Sequence, residues 1–365
     1  MKKMTFVAIA VLGLLSTTAM AQSSVTLYGI VDAAVVHTTN QIGGSKVAVD
    51  AGQLATSRWG MRGSEDMGGG LKANFGLEGT LINDSGAAGL GFGGGTAAGT
   101  TTSLFDRQAT VGLSGDFGSV NLGRQNILGV DSIGLADPIS LAHASTNPNV
   151  AFSALNAGSL YSTFGTNDGG AALRQNNSIK YLTPVMSGFG GALMYGFGEQ
   201  PGNSSASSYT GISGYYTAGA TGGAALAYAQ LKNKADNSTL TLWGGGAKYS
   251  VTPTLELRAT YAQNEVDTTK RKIAVIGLGV NYTVMPALTL TGAYYNTKRS
   301  GDIAGKADQY IAMGKYALSK RTILYASLTH AKAGSAAAQD TSLGLITQVG
   351  NTTANRTAVG VLHSF

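Results

Sequence analysis

Fixed charge is the only chemistry that this sequence arranges with a pattern. In Ser57-Arg58-Trp59-Gly60-Met61-Arg62 an extended chain puts Arg58 and Arg62 on one face and Trp59 and Met61 on the other. Lys72 and Glu78 likewise oppose Leu71, Ala73, Phe75 and Leu77, and Arg174 and Lys180 share a face with Asn176 and Ser178. Such spacing holds charges toward water behind an apolar surface; it does not assemble a bond-making centre. His37, His143, His330 and His363 have no metal-ligand spacing. The absence of Cys removes thiolate ligands, Cys nucleophiles and disulfides. Gly89-Leu90-Gly91-Phe92-Gly93-Gly94-Gly95 lacks a following helix and reads as a loop, not a phosphate cradle. The expectation is a non-enzyme without cofactor or metal.

The charges must be positioned by strands. Only 12% of the 365 residues are charged, against roughly a quarter in a soluble domain. A hydrophobic share of 43% with a net charge of +6 excludes disorder, and 53 Gly without a strict period exclude collagen. Beyond residue 21 no apolar run reaches the length of a membrane-spanning helix. Instead, segments of about ten residues alternate. Ala274, Ile276, Leu278, Val280, Tyr282 and Val284 oppose a face rich in Gly, Asn and Thr, and Leu255, Leu257, Ala259 and Tyr261 oppose Glu256, Arg258, Thr260 and Ala262. Residues 1–21 read as a signal peptide: Lys2 and Lys3, an apolar stretch from Met4 to Leu15, and the small-x-small site Ala19-Met20-Ala21. Export makes nucleic acid an unsuitable partner. Residues 22–365 then form a single domain.

Connections alternate in length. Short turns follow Asp66, Gly115, Thr183, Gly219, Ser250, Val284 and Ser319; longer Gly, Ser, Asn and Asp-rich loops fill 37–53, 83–103, 125–173, 199–208, 232–238, 265–271, 299–306 and 334–351. Seven short and eight long connections give sixteen antiparallel strands. In hydrocarbon a sheet pairs all its backbone groups only by closing on itself. The expected fold is therefore an all-β, sixteen-stranded transmembrane barrel in the cell outer membrane. Its lumen is too wide for side chains to fill and holds water. Inward charge is then tolerated, whereas Arg or Lys at the lipid midplane costs roughly 2–4 kcal/mol.

Several strings carry a resemblance through nearly the whole mature chain. They are Ser24-Val25-Thr26-Leu27-Tyr28-Gly29, the run from Ser57 to Asp66, Phe105-Asp106-Arg107-Gln108-Ala109-Thr110-Val111-Gly112-Leu113, Gly118-Ser119-Val120-Asn121-Leu122-Gly123-Arg124-Gln125, Asn177-Ser178-Ile179-Lys180-Tyr181 and the terminal Phe365. In this order they resemble the trimeric Gram-negative general porins, in particular those of beta-proteobacteria. The resemblance implies a long third loop, here about Gln125 to Leu173, folded into the barrel, with acids facing a ladder of basic residues on the wall. Asp131 and Asp137 are similar to the loop acids. Arg58, Arg107 and Arg174 resemble the ladder, with Arg62, Lys72, Arg124 and Lys180 as further basic candidates. Two departures are visible. The family's Pro-Glu-Phe-Gly-Gly stretch is not recognisable after Asp137, and Leu362 and Ser364 stand where relatives commonly carry basic residues. Strict alternation sets Arg107 on the face of Val111 and Leu113, so either a bulge shifts the register or those residues line the lumen.

The implied function is passive diffusion of small hydrophilic solutes and ions, with weak to moderate anion preference, since opposed charges across a wet gap select by field and diameter. A substrate-specific channel is the alternative, although no continuous aromatic slide is read on the inward faces. A barrel enzyme needs nucleophile and base converging at one rim, and a secreted adhesin needs no lipid-facing band. The resemblance also implies a homotrimer and a Phe365 read by the outer-membrane assembly machinery. Lys270-Arg271-Lys272 reads as a solvated rim or a contact to membrane lipid and lipopolysaccharide.

Overall fold

A computed structural model describes residues 23–88, 104–142, 164, 173–236, 238–301, 303–344, 346 and 350–365. The signal peptide, the Gly89–Gly95 stretch and His143 lie outside the described residues. In chain order the elements are β1 (Ser24–Gln41), β2 (Gly44–Ala51), β3 (Arg58–Asp66), β4 (Lys72–Ile82), β5 (Ala87–Ala88), β6 (Gln108–Gly115), β7 (Gly118–Asn126), α1 (Leu128–Gly134), β8 (Arg174–Leu182) and β9 (Phe189–Gly196). Then come β10 (Tyr209–Thr217), β11 (Gly222–Lys232), β12 (Thr239–Thr252), β13 (Leu255–Val266), β14 (Lys272–Met285), β15 (Leu288–Ser300), β16 (Gly305–Ala317), β17 (Thr322–Ala333), α2 (Ala338–Gly344) and β18 (Thr353–Ser364).

All neighbours pair antiparallel, and β1 closes the sheet against β18 with Ile30 opposite Ser364 and Thr38 opposite Arg356. β2 and β3 both pair with β1 and are two halves of one span, while β5 only extends the end of β4. The closed barrel therefore has sixteen spans. The sequence reading of 37–53 as a loop is corrected: Lys46-Val47-Ala48-Val49 continues the ladder opposite Val35-Val36-His37-Thr38, and only Ile42 and Gly43 connect β1 to β2. The interruption falls at 52–57 instead.

That interruption is pinned by one carboxylate. Asp32, fully buried, accepts the N–H groups of Leu54 at 2.6 Å and Ala55 at 2.7 Å and the hydroxyl of Tyr325. Its own backbone N–H donates to Ser57 Oγ at 2.9 Å. Arg356 holds the same segment through Gln53 Oε1 at 2.6 Å and Asp50 Oδ2 at 2.9 Å. Leu54 and Ala55 thereby cover a small inner cluster of Ala34, Val36, Tyr325, Ala358 and Leu362 at the seam of the barrel.

Burial alternates as a two-solvent sheet requires. Val25, Leu27, Val111, Leu113, Leu193, Leu226, Leu278, Leu328 and Val359 are exposed on the outside, and alternate residues such as Asp32, Thr110, Thr260, Thr291 and Ser327 are buried on the inside. So large an apolar exterior is stable only in lipid. Aromatic pairs on the outer face, Phe189 with Tyr216 (4.6 Å) near short turns and Tyr195 with Phe197 (5.0 Å) near a long connection, mark its two borders. Phe365 completes the closure: its backbone exchanges hydrogen bonds with Gly29, and a Cβ at Gly29 would lie 2.3 Å from its ring, so only glycine lets the ring lie across that strand.

Candidate functional site

Five of the candidate basic residues gather on one wall. From β4, Glu78 accepts Arg107 Nε at 2.6 Å, lies 3.6 Å from Arg58 Nε, and accepts the Tyr28 hydroxyl at 3.1 Å. The Arg62 guanidinium stands 5.2 Å from the centre of the Tyr28 ring. Register explains the grouping: Tyr28, Gly60 and Glu78 are successive cross-strand partners, and Arg58 and Arg62 lie two residues to either side of Gly60 on the inner face.

Arg107 resolves its own ambiguity. It precedes β6 in a bend over 104–107, so strand alternation does not govern it. Val111 and Leu113 face outward while Arg107 is buried against Glu78. The bend is tied by Asp106, whose carboxylate accepts Thr80 N at 2.7 Å and Thr80 Oγ1 at 2.8 Å. Arg124 sits where the β7–β8 register shifts beside Gly123, which at φ +123° is a conformation L side chains rarely adopt. Its guanidinium donates to the Asp106 carbonyl and to Asn176 Oδ1 at 2.6 Å. Arg174, buried at the start of β8, lies within the field of Arg107, Asp106, Arg124 and Glu78. Arg58, Arg62, Arg107, Arg124 and Arg174 are thus brought together.

The segment after β7 runs to the far side. Ile127, Leu128, Val130 and Ile133 pack on Met194, Ala227, Ala229 and Leu242, residues that alternate with the exposed Leu193, Leu226, Tyr228 and Trp243. Glycines open the wall to it: a Cβ at Gly246 would lie 2.9 Å from that of Ala136, and one at Gly279 would lie 2.5 Å from Pro138 Cβ. Asp131, half-exposed, accepts Lys180 Nζ at 2.9 Å, so these two candidates form an ion pair.

Two candidates are placed differently from their expected roles. Lys72 is at the turn end of β4, opposite Asp66, whereas Arg58 is opposite Thr80. Eight residues of strand separate the levels, ~26 Å along the chain, so Lys72 belongs to the mouth and not to the arginine group. Asp137 is fully buried and does not face the basic wall. Its Oδ1 accepts the Tyr295 hydroxyl at 2.9 Å, its Oδ2 accepts Leu141 N at 2.7 Å, and Arg258 donates to its backbone carbonyl at 3.0 Å. It is an anchor, and the left-handed Ser140 (φ 56°) and Leu141 (φ 60°) are held by these bonds. Asp32, Glu78 as a shared acceptor, Tyr295 and Arg258 are functional positions that the sequence reading does not single out.

The anchor titrates. Burial pushes the Asp137 carboxyl up to about 6 from its ordinary 3.8, only partly offset by the Leu141 and Tyr295 bonds. A raised folded value means that the attached segment holds its proton while a released one loses it. Attachment is therefore strongest below about pH 4 and weakens as pH rises through about 6. In planar-bilayer recordings, brief current substates should become more frequent between pH 4 and 7, and Asp137→Asn should flatten that dependence. A pH-independent wild-type record would refute the anchor's titration.

Comparison with known proteins agrees with this architecture. A model of the Gram-negative porin family matches residues 8–343. Outer membrane porin protein 32 of Delftia acidovorans is 39% identical over 217 residues, 59% of this chain and 56% of that protein. An outer membrane porin protein of Bordetella pertussis is 30% identical over 226 residues, 58% of this chain and 52% of that protein. The chain spans about half the length of these curated relatives. The solved structure of an anion-selective porin from Comamonas acidovorans superimposes with a TM-score of 0.76 at 29% identity, covering 94% of this chain and 100% of that chain. A closed barrel with an apolar exterior, a charged inner wall and a family match along nearly its whole length places the protein in the outer membrane, and the chain belongs to the Gram-negative porin family.

Proposed function

We propose that the protein is a passive, water-filled pathway for small hydrophilic solutes and ions with weak to moderate anion preference. The observation that carries the reading is the charge balance on one wall: among the described residues the five guanidinium groups of Arg58, Arg62, Arg107, Arg124 and Arg174 gather around two carboxylates, Glu78 and Asp106. The segment from Ile127 to Ala142, as the constriction loop, offers little counter-charge, because Asp131 is paired with Lys180 and Asp137 is buried. Excess guanidinium beside a narrow wet gap raises local anion concentration, and selection by field and diameter keeps passage fast. The structurally similar porin from Comamonas acidovorans is anion-selective, which supports this reading.

The test is the reversal potential in a KCl gradient. Wild type should reverse toward the chloride potential, and Arg58→Gln/Arg107→Gln/Arg174→Gln should lose most of that displacement and change conductance. Cation preference in wild type would overturn the proposal, and an unchanged triple variant would remove these residues from the constriction.

The same reading includes a homotrimer packed through the wall near β1 and β18, where Val25, Leu27, Val359 and Val361 are exposed. It also includes a cleaved signal peptide over residues 1–21, recognition of Phe365 by the assembly machinery, and contact with outer-membrane lipid and lipopolysaccharide. Native mass spectrometry of the detergent-extracted protein tests the first two together, through the mass of the chain and of its assembly.

A further inference from the structure

On the wall that carries the segment around Pro138, the inner face holds a second set of charges near the short turns. Glu256 and Arg258 come from β13, Asn281 from β14, Thr289 from β15 and Lys315 from β16. The alternation that exposes Leu257, Tyr282, Leu290 and Tyr316 to lipid turns these five toward the lumen. Together with the turn at 252–254 and Ser140 of the segment, they line a polar pocket of about 290 Å³.

The charged groups are held in place but only half used. Arg258 Nε donates to Glu256 Oε1 at 2.7 Å, and its Nη1 donates to Ser140 Oγ at 2.7 Å and to the Asp137 carbonyl at 3.0 Å. Asn281 Nδ2 donates to the same Glu256 Oε1 at 3.2 Å, and the amide oxygen of Asn281 accepts Thr291 Oγ1 at 2.6 Å. Among the described residues, Glu256 Oε2 accepts no hydrogen bond, Arg258 Nη2 donates none, and Lys315 Nζ has neither a hydrogen bond nor an ion pair. Register sets the acid and the ammonium on opposite sides of the pocket: Glu256 is opposite Asn281, and Lys315 is opposite Thr289, three strands away from β13. They lie in one another's field without touching. Lys248 is opposite Arg258 in the ladder but does not line the pocket.

We propose that this pocket is a weak resting site for a small zwitterion of the α-amino acid class, with its carboxylate on Lys315 and Arg258 Nη2 and its ammonium on Glu256 Oε2. A plain anion would meet the two cations and leave the Glu256 oxygen facing a like charge, and a plain cation would leave Lys315 and Arg258 unanswered. A ligand that carries both signs a few bonds apart meets both ends. The free volume admits an amino acid with a short side chain. The proposal rests on the reading of the lumen as a solute pathway, and a millimolar site of this kind lets its occupant leave quickly enough not to block passage.

The experiment titrates L-alanine, propanoate and ethylammonium, ligands of similar size that each carry a methyl group, against the folded barrel in uncharged deuterated detergent near neutral pH. Saturation-transfer NMR is read on the methyl. Wild type should give a saturable alanine response with a millimolar midpoint, and propanoate and ethylammonium should each bind about tenfold more weakly, at the loss of one charge-assisted contact. Glu256→Gln should weaken alanine about tenfold and leave propanoate no weaker, whereas Lys315→Gln should weaken alanine and propanoate alike, about tenfold. A merely structural role for either residue would not produce that split. Propanoate binding as tightly as alanine in wild type overturns the zwitterion, and the absence of a saturable alanine response, or a midpoint that neither variant moves, overturns the site. Should Glu256→Gln fail to give the compact unheated band of a folded barrel on a gel, Lys315→Gln, which removes no bond within the described chain, is read alone. Alanine binding to a protein without channel steps in a planar bilayer would sink the proposed function and leave this site standing; channel steps without alanine binding would do the opposite.

Discussion

Replacing Asp32 by alanine should lower the heat stability of the barrel more than any other single change on the inner wall. The carboxylate is fully buried and accepts Leu54 N, Ala55 N and the Tyr325 hydroxyl. Its loss leaves buried donors without acceptors, at roughly 1–3 kcal/mol each, so a total on the order of 4 kcal/mol is expected. At about 2–4 °C per kcal/mol the folded form should disappear roughly 10 °C earlier in a heat-modifiability gel. Tyr325→Phe, which removes one donor along with one bond, should cost clearly less. The effect reaches the wall charges because Ser57, bonded to the backbone of Asp32, immediately precedes Arg58. A wild-type melting profile for Asp32→Ala would show that the segment at 52–57 is held by its apolar contacts instead.

Gly279→Leu should alter conductance without weakening the barrel. A Cβ at this position would approach Pro138 Cβ to 2.5 Å and its Cα to 3.0 Å, and the rest of a leucine has no room beneath the proline ring. Overpacking of this kind costs about 1–3 kcal/mol, comparable to the bonds that attach the segment, so the segment should move rather than the strand. Residues 135–142 are then pushed toward the arginine wall. Single-channel conductance should fall by about half or more while the unfolding temperature stays near that of wild type, since leucine suits a strand. Normal conductance would mean that the segment around Pro138 does not border the permeation path.

Much of the barrel is legible because two solvents write a period of two into every span. Trp59 and Met61 against Arg58 and Arg62, or Leu278 and Val280 against Gly277 and Gly279, alternate as the closed sheet requires. The even strand count follows from the connections. What escapes are the places where the chain leaves the ladder. Arg107 lies in a bend and Arg124 at a bulge, so counting by twos cannot orient either. The first connection reads as a loop because Gly and Ser in 43–45, which mark a tight turn inside a hairpin, carry the same composition as a loop start. Asp137 reads as a water-facing acid because no local pattern distinguishes a carboxylate that points back at the wall from one that points out. Asp32 does leave a signal: one carboxylate among Ile30, Val31, Ala33, Ala34 and Val35 is a charge that must find buried donors.

The glycine-lined side of β12 and β14 has a consequence for shape. Because Ala136 and Pro138 nest into Gly246 and Gly279, the described part of the segment, residues 127–142, hugs the flank away from the guanidinium groups. On the proposed reading, solutes are expected to pass along the guanidinium flank, through a crescent-shaped slit and not a round bore. Flat anions such as nitrate or benzoate, sliding edge-on past the arginines, should be favoured over spherical ones of equal volume.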